Sequence, residues 1–274
     1  MLLFSLPGGC PFLCTYCSNH SLAKLYGRNR NYPRFRSPES CVQEIEDVVK
    51  KYGTLIDYVC IVDDIFGPNN KWRRGFCEIY KKRIRKKFMI LLRVEMVTDD
   101  MLIMLKDAGC YRIFIGVESG NEYLRKEVMK RTMSNEEIVS AYDLCHKHGL
   151  ETLAVNIIGV PGETEEMIWD TVKFNRRLRP TTSAVNIFYP YRGTELGDKC
   201  FRDGLVDEEH YYNFSNERRE TVLRYPQDYK RKLSYYYDNW AILVYPWNVK
   251  LYMERILKKM GMYEMMRKTK RFIK

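Results

Sequence analysis

Three cysteines near the amino end, Cys10, Cys14 and Cys17, stand at spacing C-x3-C-x2-C within GGCPFLCTYC (8–17). A mononuclear zinc site takes four protein ligands, commonly as two C-x-x-C pairs, and no second pair occurs here. A ferredoxin-type cluster also takes four cysteines, one per iron. Three cysteines on a four-iron cube therefore leave one iron without a protein ligand. By analogy with zinc, an open position distinguishes a reactive centre from a closed structural one. Gly8 and Gly9 let the backbone turn tightly, and Pro11 stiffens the wrapping loop. A free cysteine also packs as a small hydrophobe, but three in a Gly/Pro loop at this spacing read as ligands. The other six (Cys41, Cys60, Cys77, Cys110, Cys145, Cys200) are scattered singly and read as core residues, with no second cluster. His20, His146, His148 and His210 form no ligand pattern.

The segment CPFLCTYC (10–17) resembles the C-x3-C-x-aromatic-C signature of the radical S-adenosylmethionine (SAM) enzymes. The resemblance covers residues 1 to about 200 and is closest to the radical SAM domain of cobalamin-binding-domain-type proteins, such as anaerobic magnesium-protoporphyrin ester cyclases and related methyltransferases. Further phrases carry it: IVDDIF (61–66), LKDAGC (105–110), FIGVESG (114–120), KRTMSNEEI (130–138), NIIGVPGET (156–164) and YPYRGTEL (189–196). It implies a [4Fe–4S] cluster on Cys10, Cys14 and Cys17, with SAM on the open iron. It implies SAM contacts from Asp63 and Asp64 to the ammonium, Glu118 with Ser119 to the ribose, and Arg131 to the carboxylate. Near adenine it places Tyr16, the turn at Gly159 and Tyr189. The wider family often has Gly-Gly-Glu where this chain has Asp63-Asp64. Plainer roles stand beside several of these assignments: a helix cap for either aspartate, an ion pair with Arg93 for Glu118, an exposed arginine for Arg131, a packed loop aromatic for Tyr16. The Gly159–Glu163 turn suits any strand-to-helix link.

The elements that must position these residues alternate. Apolar runs read as strands at Met1–Leu6, Tyr58–Val62, Phe88–Val94, Tyr111–Val117, Thr152–Ile158 and Ala184–Phe188. Between them fall helical stripes with start and stop signals: Ser37-Pro38 to Gly53, Pro68 to Lys87, Thr98 to Gly109, Ser134 with Glu137 to Gly149, and 165–178. Residues 18–36 show little periodicity and read as a long loop. Six strand–helix units imply a parallel sheet with right-handed crossovers, which an open sheet and a barrel both satisfy. The candidate residues all follow carboxyl ends of strands, the sign of a barrel's active face. Six units fall short of eight, and the resemblance implies an α/β fold of the partial (βα)6 TIM type, open at the side. The chain reads as a barrel at 1–200 and a helical carboxy-terminal extension at 201–274.

The 274 residues are 45% hydrophobic and carry a net charge of +11, with pI about 9.1. That composition affords a core and excludes disorder as the default. No apolar run approaches the ~18 residues of a membrane span, and no secretory signal precedes the cysteines. Nine cysteines without a disulfide framework fit a reducing, cytoplasmic setting. Residues 222–274 hold 13 Lys/Arg and 4 Asp/Glu, interleaved with aromatics, and Val249–Met266 reads as a basic amphipathic helix. The extension reads either as a cover for the open side of the barrel, or as a surface for an anionic membrane or RNA. Nucleic acid is the less favoured of these, since no known RNA-binding domain follows the barrel.

The expected function is a radical SAM enzyme that abstracts hydrogen from a small-molecule or lipid-like substrate, leading to methylation or cyclisation. The resemblance also implies an electron donor such as flavodoxin or ferredoxin. Its rivals are an iron–sulfur electron-transfer protein and an RNA-modifying, methylthiotransferase-like enzyme. The sequence starts at its first strand, so cobalamin is expected only through a domain absent from this chain. The sequence is then a fragment, a short cobalamin-free member, or one whose partner chain supplies that domain.

Overall fold

Period-two patterning sorts each strand's side chains between a helix-covered outer face and an inner face. In the computed structural model, which describes residues 1–5, 8–27, 32–213 and 216–253, six strands form one sheet. They are β1 (Leu2–Phe4), β2 (Tyr58–Ile61), β3 (Lys87–Leu92), β4 (Cys110–Glu118), β5 (Glu151–Ile158) and β6 (Thr182–Ile187). Every neighbouring pair is parallel, in the order β1-β2-β3-β4-β5-β6, and β1 does not meet β6. The result is the partial barrel, open at the side, that the resemblance implied. Ile113, Ile115 and Val117 of β4 and Ala154 and Ile158 of β5 point outward and are fully buried. The alternate residues Val155 and Ile157 are only partly buried, because they face a cavity.

The crossovers run through α1 (Ser18–Tyr26), α2 (Pro38–Tyr52), α3 (Asn70–Arg83), α4 (Asp99–Asp107), α5 (Asn135–Lys147) and α6 (Glu165–Leu178). The caps are those the sequence signals. Ser37 accepts from Ser40 N with Pro38 in the first turn, Thr98 accepts from Met101 N, and Ser134 with Glu137 forms a capping box. One expectation fails: residues 18–26 are helical, not loop. Helix α1 has no side-chain cap and buries a single apolar residue, Ala23, so its sequence carries almost no amphipathic signal.

Beyond β6 come α7 (Glu195–Arg202), α8 (Glu208–Asn213) and α9 (Gln227–Val244). Helix α9 lays Leu233, Tyr236, Trp240 and Val244 against Ile158, Ile168, Val172, Val185 and Ile187. Each large side chain so buried contributes about 1.5–3 kcal/mol. Trp240 Nε1 donates to Ser183 Oγ at 2.8 Å, and Tyr245 Oη donates to Pro180 O at 2.9 Å. The extension thus covers the outer face of β6, where a further barrel helix would lie, rather than the gap beside β1. The expected helix at Val249–Met266 lies, from residue 254 on, outside the described residues. No helix among the described residues is long and apolar enough to cross a membrane.

Candidate functional site

The cysteine loop joins β1 to α1 at the carboxyl end of the sheet. Its shape depends on partners far along the chain. A Cβ at Gly9, whose φ is +86°, would collide with the Tyr32 ring, and one at Gly8 would come within 2.7 Å of Phe35. Between Cys14 and Cys17, Thr15 donates its hydroxyl to Val128 O at 2.6 Å, and its carbonyl accepts from Leu196 N at 2.8 Å. Cys14 is buried, while Cys10 and Cys17 are half-buried. Cys17 occupies the N-cap of α1, where the helix dipole favours an anion. Burial pushes the Cys10 thiol up to about 11, against the opposing pull of the Phe12 backbone N–H and the Arg93 charge. Among the described residues no three His, Cys, Asp or Glu side chains close on one point as a single ion requires. A four-iron cluster, whose thiolates sit on separate irons, asks for a looser arrangement.

The three thiols open onto a cavity of about 480 Å³, within the range of cofactor sites. Tyr16, Asp63, Asp64, Glu118, Arg131 and Tyr189 line it with them. None of the four histidines does. Asp63 is buried and accepts from Ser5 Oγ at 3.4 Å, whereas Asp64 is exposed to the cavity. Neither caps α3, whose N-cap is Asn69. Tyr16 also packs against the Phe188 and Leu196 cluster, and its phenol is pushed up by burial and by the Glu118 charge. Tyr189 stacks on Tyr211 with centroids 5.1 Å apart.

Glu118 ends β4 with φ +64°, a left-handed backbone that costs a non-glycine residue about 1–2 kcal/mol. The β4–β5 register shifts at this point, turning the carboxylate over Gly116. A Cβ at Gly116 would collide with Glu118 Oε1 and lie 3.4 Å from Arg131 Nη2. Arg131 donates to Gly116 O at 2.6 Å and faces Glu118 Oε1 at 3.6 Å. It is 4% exposed, so it is not a surface arginine, and its Nε is buried without a protein partner. Burial disfavours its charge, but Tyr16, Glu118, Cys14 and Glu95 more than offset this and raise its pKa. Glu118 does not pair with Arg93, which holds Glu95 instead at 2.5 Å.

Two expected contacts lie off the cavity. Ser119 is fully buried, its hydroxyl 3.3 Å from Thr171 Oγ1 and accepting from Asn121 N. Gly159 (φ +78°) sits in a turn braced by α9 and the residues before it: Leu233 of α9 packs against it, and Tyr225 Oη donates to its carbonyl at 3.2 Å. Glu163 closes this turn by accepting from Gly159 N and Val160 N. Burial nonetheless pushes its carboxyl up to about 8, and its Oε1 has no partner. Between the ordinary carboxylate value near 4.3 and about 8, the folded chain therefore binds a proton that the unfolded chain has released. This part of the stability is full below pH ~4 and is lost as pH rises towards ~8. Glu163→Gln should flatten that slope, as read by urea unfolding at pH 5 and pH 8 against the parent protein.

Several lining residues escaped the sequence reading as site members, among them Arg93, Gly116, Asn186 and Arg218. Gly116 and Asn186 were within reach, since strand alternation puts both on the inner face. Arg218 carried no signal. It reaches the cavity because its carbonyl accepts from Ile187 N at 2.8 Å, on the free edge of β6.

A half-barrel whose first loop presents three thiols beside buried arginines and carboxylates offers, at its strand ends, ligands for a metal cluster and partners for a charged cofactor. Comparison with known families agrees. The Radical SAM superfamily profile matches residues 4–174, and the chain belongs to that superfamily. Its cofactors, as a member, are accordingly a [4Fe–4S] cluster and SAM. The chain is 27% identical over 253 residues to the anaerobic magnesium-protoporphyrin IX monomethyl ester cyclase of Rubrivivax gelatinosus, covering 87% of this chain and 42% of that protein. It is 27% identical over 199 residues to an uncharacterized methyltransferase of Pyrococcus horikoshii, covering 72% of this chain and 41% of that protein. In fold it resembles the radical SAM methyltransferase TsrM of Kitasatospora setae, solved with cobalamin and a [4Fe–4S] cluster. The TM-score is 0.62 at 17% identity, over 76% of this chain and 38% of that one. The chain spans about two fifths of the length of these curated relatives.

Proposed function

We propose that this chain is the catalytic half-barrel of an enzyme that reductively cleaves SAM and directs the resulting radical at a small-molecule substrate. The observation that carries this is the convergence of Cys10, Cys14 and Cys17 on one cavity with Glu118, Arg131 and Asp64. When bound, the cluster supplies the electron that splits SAM into methionine and a 5′-deoxyadenosyl radical able to take hydrogen from an unactivated C–H bond. The three thiolates would hold it, leaving one iron for SAM. The protein's own work is binding, orientation and exclusion of water. Asp64, with Asp63 behind it, would accept from the SAM ammonium. Arg131, with its unpartnered Nε, would donate to the carboxylate. Glu118 would accept from the ribose hydroxyls, and Tyr16 and Tyr189 would flank adenine. Inward-facing Leu91, Phe114, Val155 and Ile157 supply apolar walls that keep the reacting end dry.

The anaerobically reconstituted protein, given SAM and dithionite, should release 5′-deoxyadenosine slowly without any substrate, as measured by chromatography. A protein carrying four irons per chain that releases none would overturn the reading. An electron-transfer role is not favoured, because the other six cysteines are all buried and none of them lines the cavity to offer a fourth cluster ligand. Methylation or cyclisation is the proposed outcome, following the names of the relatives. Cobalamin held outside this chain is the proposed additional cofactor for methylation, and a low-potential flavodoxin or ferredoxin the proposed reductant. Substrate trials with and without added cobalamin separate the two outcomes. A membrane role for the basic extension would rest on residues beyond 253 and is not part of the proposal.

A further inference from the structure

Arg93 is the buried cavity cation that these assignments leave without a task. It follows β3 and is 6% exposed. Its Nη1 donates to Cys14 Sγ at 3.3 Å, and its guanidinium lies 3.7 Å from the centroid of the Phe12 ring, inside the cysteine loop. Glu95 holds the other side, at 2.5 Å from Nη2 and 3.3 Å from Nε. Arg131 Nη1 stands further from the same sulfur, at 3.9 Å, and is committed to Gly116 O and Glu118. A buried cation that is stacked, hydrogen-bonded to a cysteine sulfur and paired with a single carboxylate is an electrostatic device. Hydrogen bonds to ligand sulfurs and net local charge are what set an iron–sulfur potential. Reduction adds negative charge, which a nearby guanidinium stabilises and a nearby carboxylate opposes, strongly so in a site of low dielectric.

We propose that the Arg93–Glu95 pair tunes the reduction potential of the cluster held through Cys14. Arg93 raises the potential, Glu95 moderates it, and the Phe12 ring fixes the guanidinium against the sulfur. This rests on Cys14 being a cluster ligand. Arg93 is then a positioning and tuning residue for electron entry rather than a contact of the substrate.

The test is a redox titration of the reconstituted full chain without SAM, followed by the electron paramagnetic resonance of the reduced cluster. Arg93→Gln should shift the reduced-to-oxidised ratio at fixed potential about tenfold towards oxidised, which is about 59 mV downward for one electron. Phe12→Leu should move it less, in the same direction. Glu95→Gln should move it upward. Opposite signs are the signature, since damage to the fold would not reverse with the charge removed. Potentials that stay put, or move the same way in Arg93→Gln and Glu95→Gln, overturn the proposal. So does loss of SAM affinity in Arg93→Gln at unchanged potential, which would make Arg93 a SAM contact. Should Arg93→Gln hold no iron, Glu95→Gln decides alone: anything but an upward shift overturns it. A cluster retained in Cys14→Ala would instead overturn the ligand reading beneath.

Discussion

Cys14→Ala should leave the anaerobically reconstituted protein without a [4Fe–4S] cluster. Iron and sulfide should fall to background, and both the reduced-cluster signal and 5′-deoxyadenosine release should vanish. The effect is expected to be complete for two reasons. Three ligands already hold the cluster with one iron open, so losing another leaves two irons without protein thiolates. Cys14 is also the buried member of the set, and its sulfur is the one that accepts from Arg93 and Arg131. Alanine would set both guanidinium groups against a methyl group, an environment that offers a cluster nothing in return. Circular dichroism of the apo forms separates this from misfolding, because the half-barrel core lies on the outer face of the sheet. A full cluster in Cys14→Ala would place the ligands elsewhere.

The second large effect is expected at Gly116 and Glu118. Glu118→Gln should weaken SAM binding about 10- to 100-fold with iron content intact, the scale of a charged hydrogen bond of about 1.5–3 kcal/mol. Gly116→Val should do the same without touching the carboxylate itself, because its side chain would occupy the place of Glu118 Oε1. Glu118→Gly offers a control: it relieves the left-handed backbone at φ +64° yet should still lose affinity. Equilibrium dialysis with labelled SAM measures all three. Unchanged affinity in both Glu118→Gln and Gly116→Val would remove Glu118 from the SAM site while leaving the cluster assignment untouched.

The candidate cluster ligands were legible in the sequence because their chemistry is local: three thiols within eight residues, in a loop of glycine and proline, need no tertiary information to be read together. The strand–helix alternation was legible for the same reason, since periodicity and caps such as Ser134 with Glu137 act within one or two turns. Strand ends were then enough to gather Asp63, Asp64 and Glu118 near one mouth, and the family resemblance added Arg131. What only the tertiary structure decided is which partner each charge takes. Arg93 chose Glu95 and Cys14 over Glu118, and Glu118 chose Arg131. A register shift between β4 and β5 turned the carboxylate over Gly116. Ser119, one residue further, turned away to Thr171, at a tight turn where its N–H donates to Val117 O. Gly159 was drawn off the cavity by Leu233 and Tyr225, more than sixty residues later in the chain. The cysteine loop itself hangs on Val128 and Leu196 through Thr15. Such choices depend on distances between segments that share no sequence neighbourhood, and spacing along a chain carries no information about them.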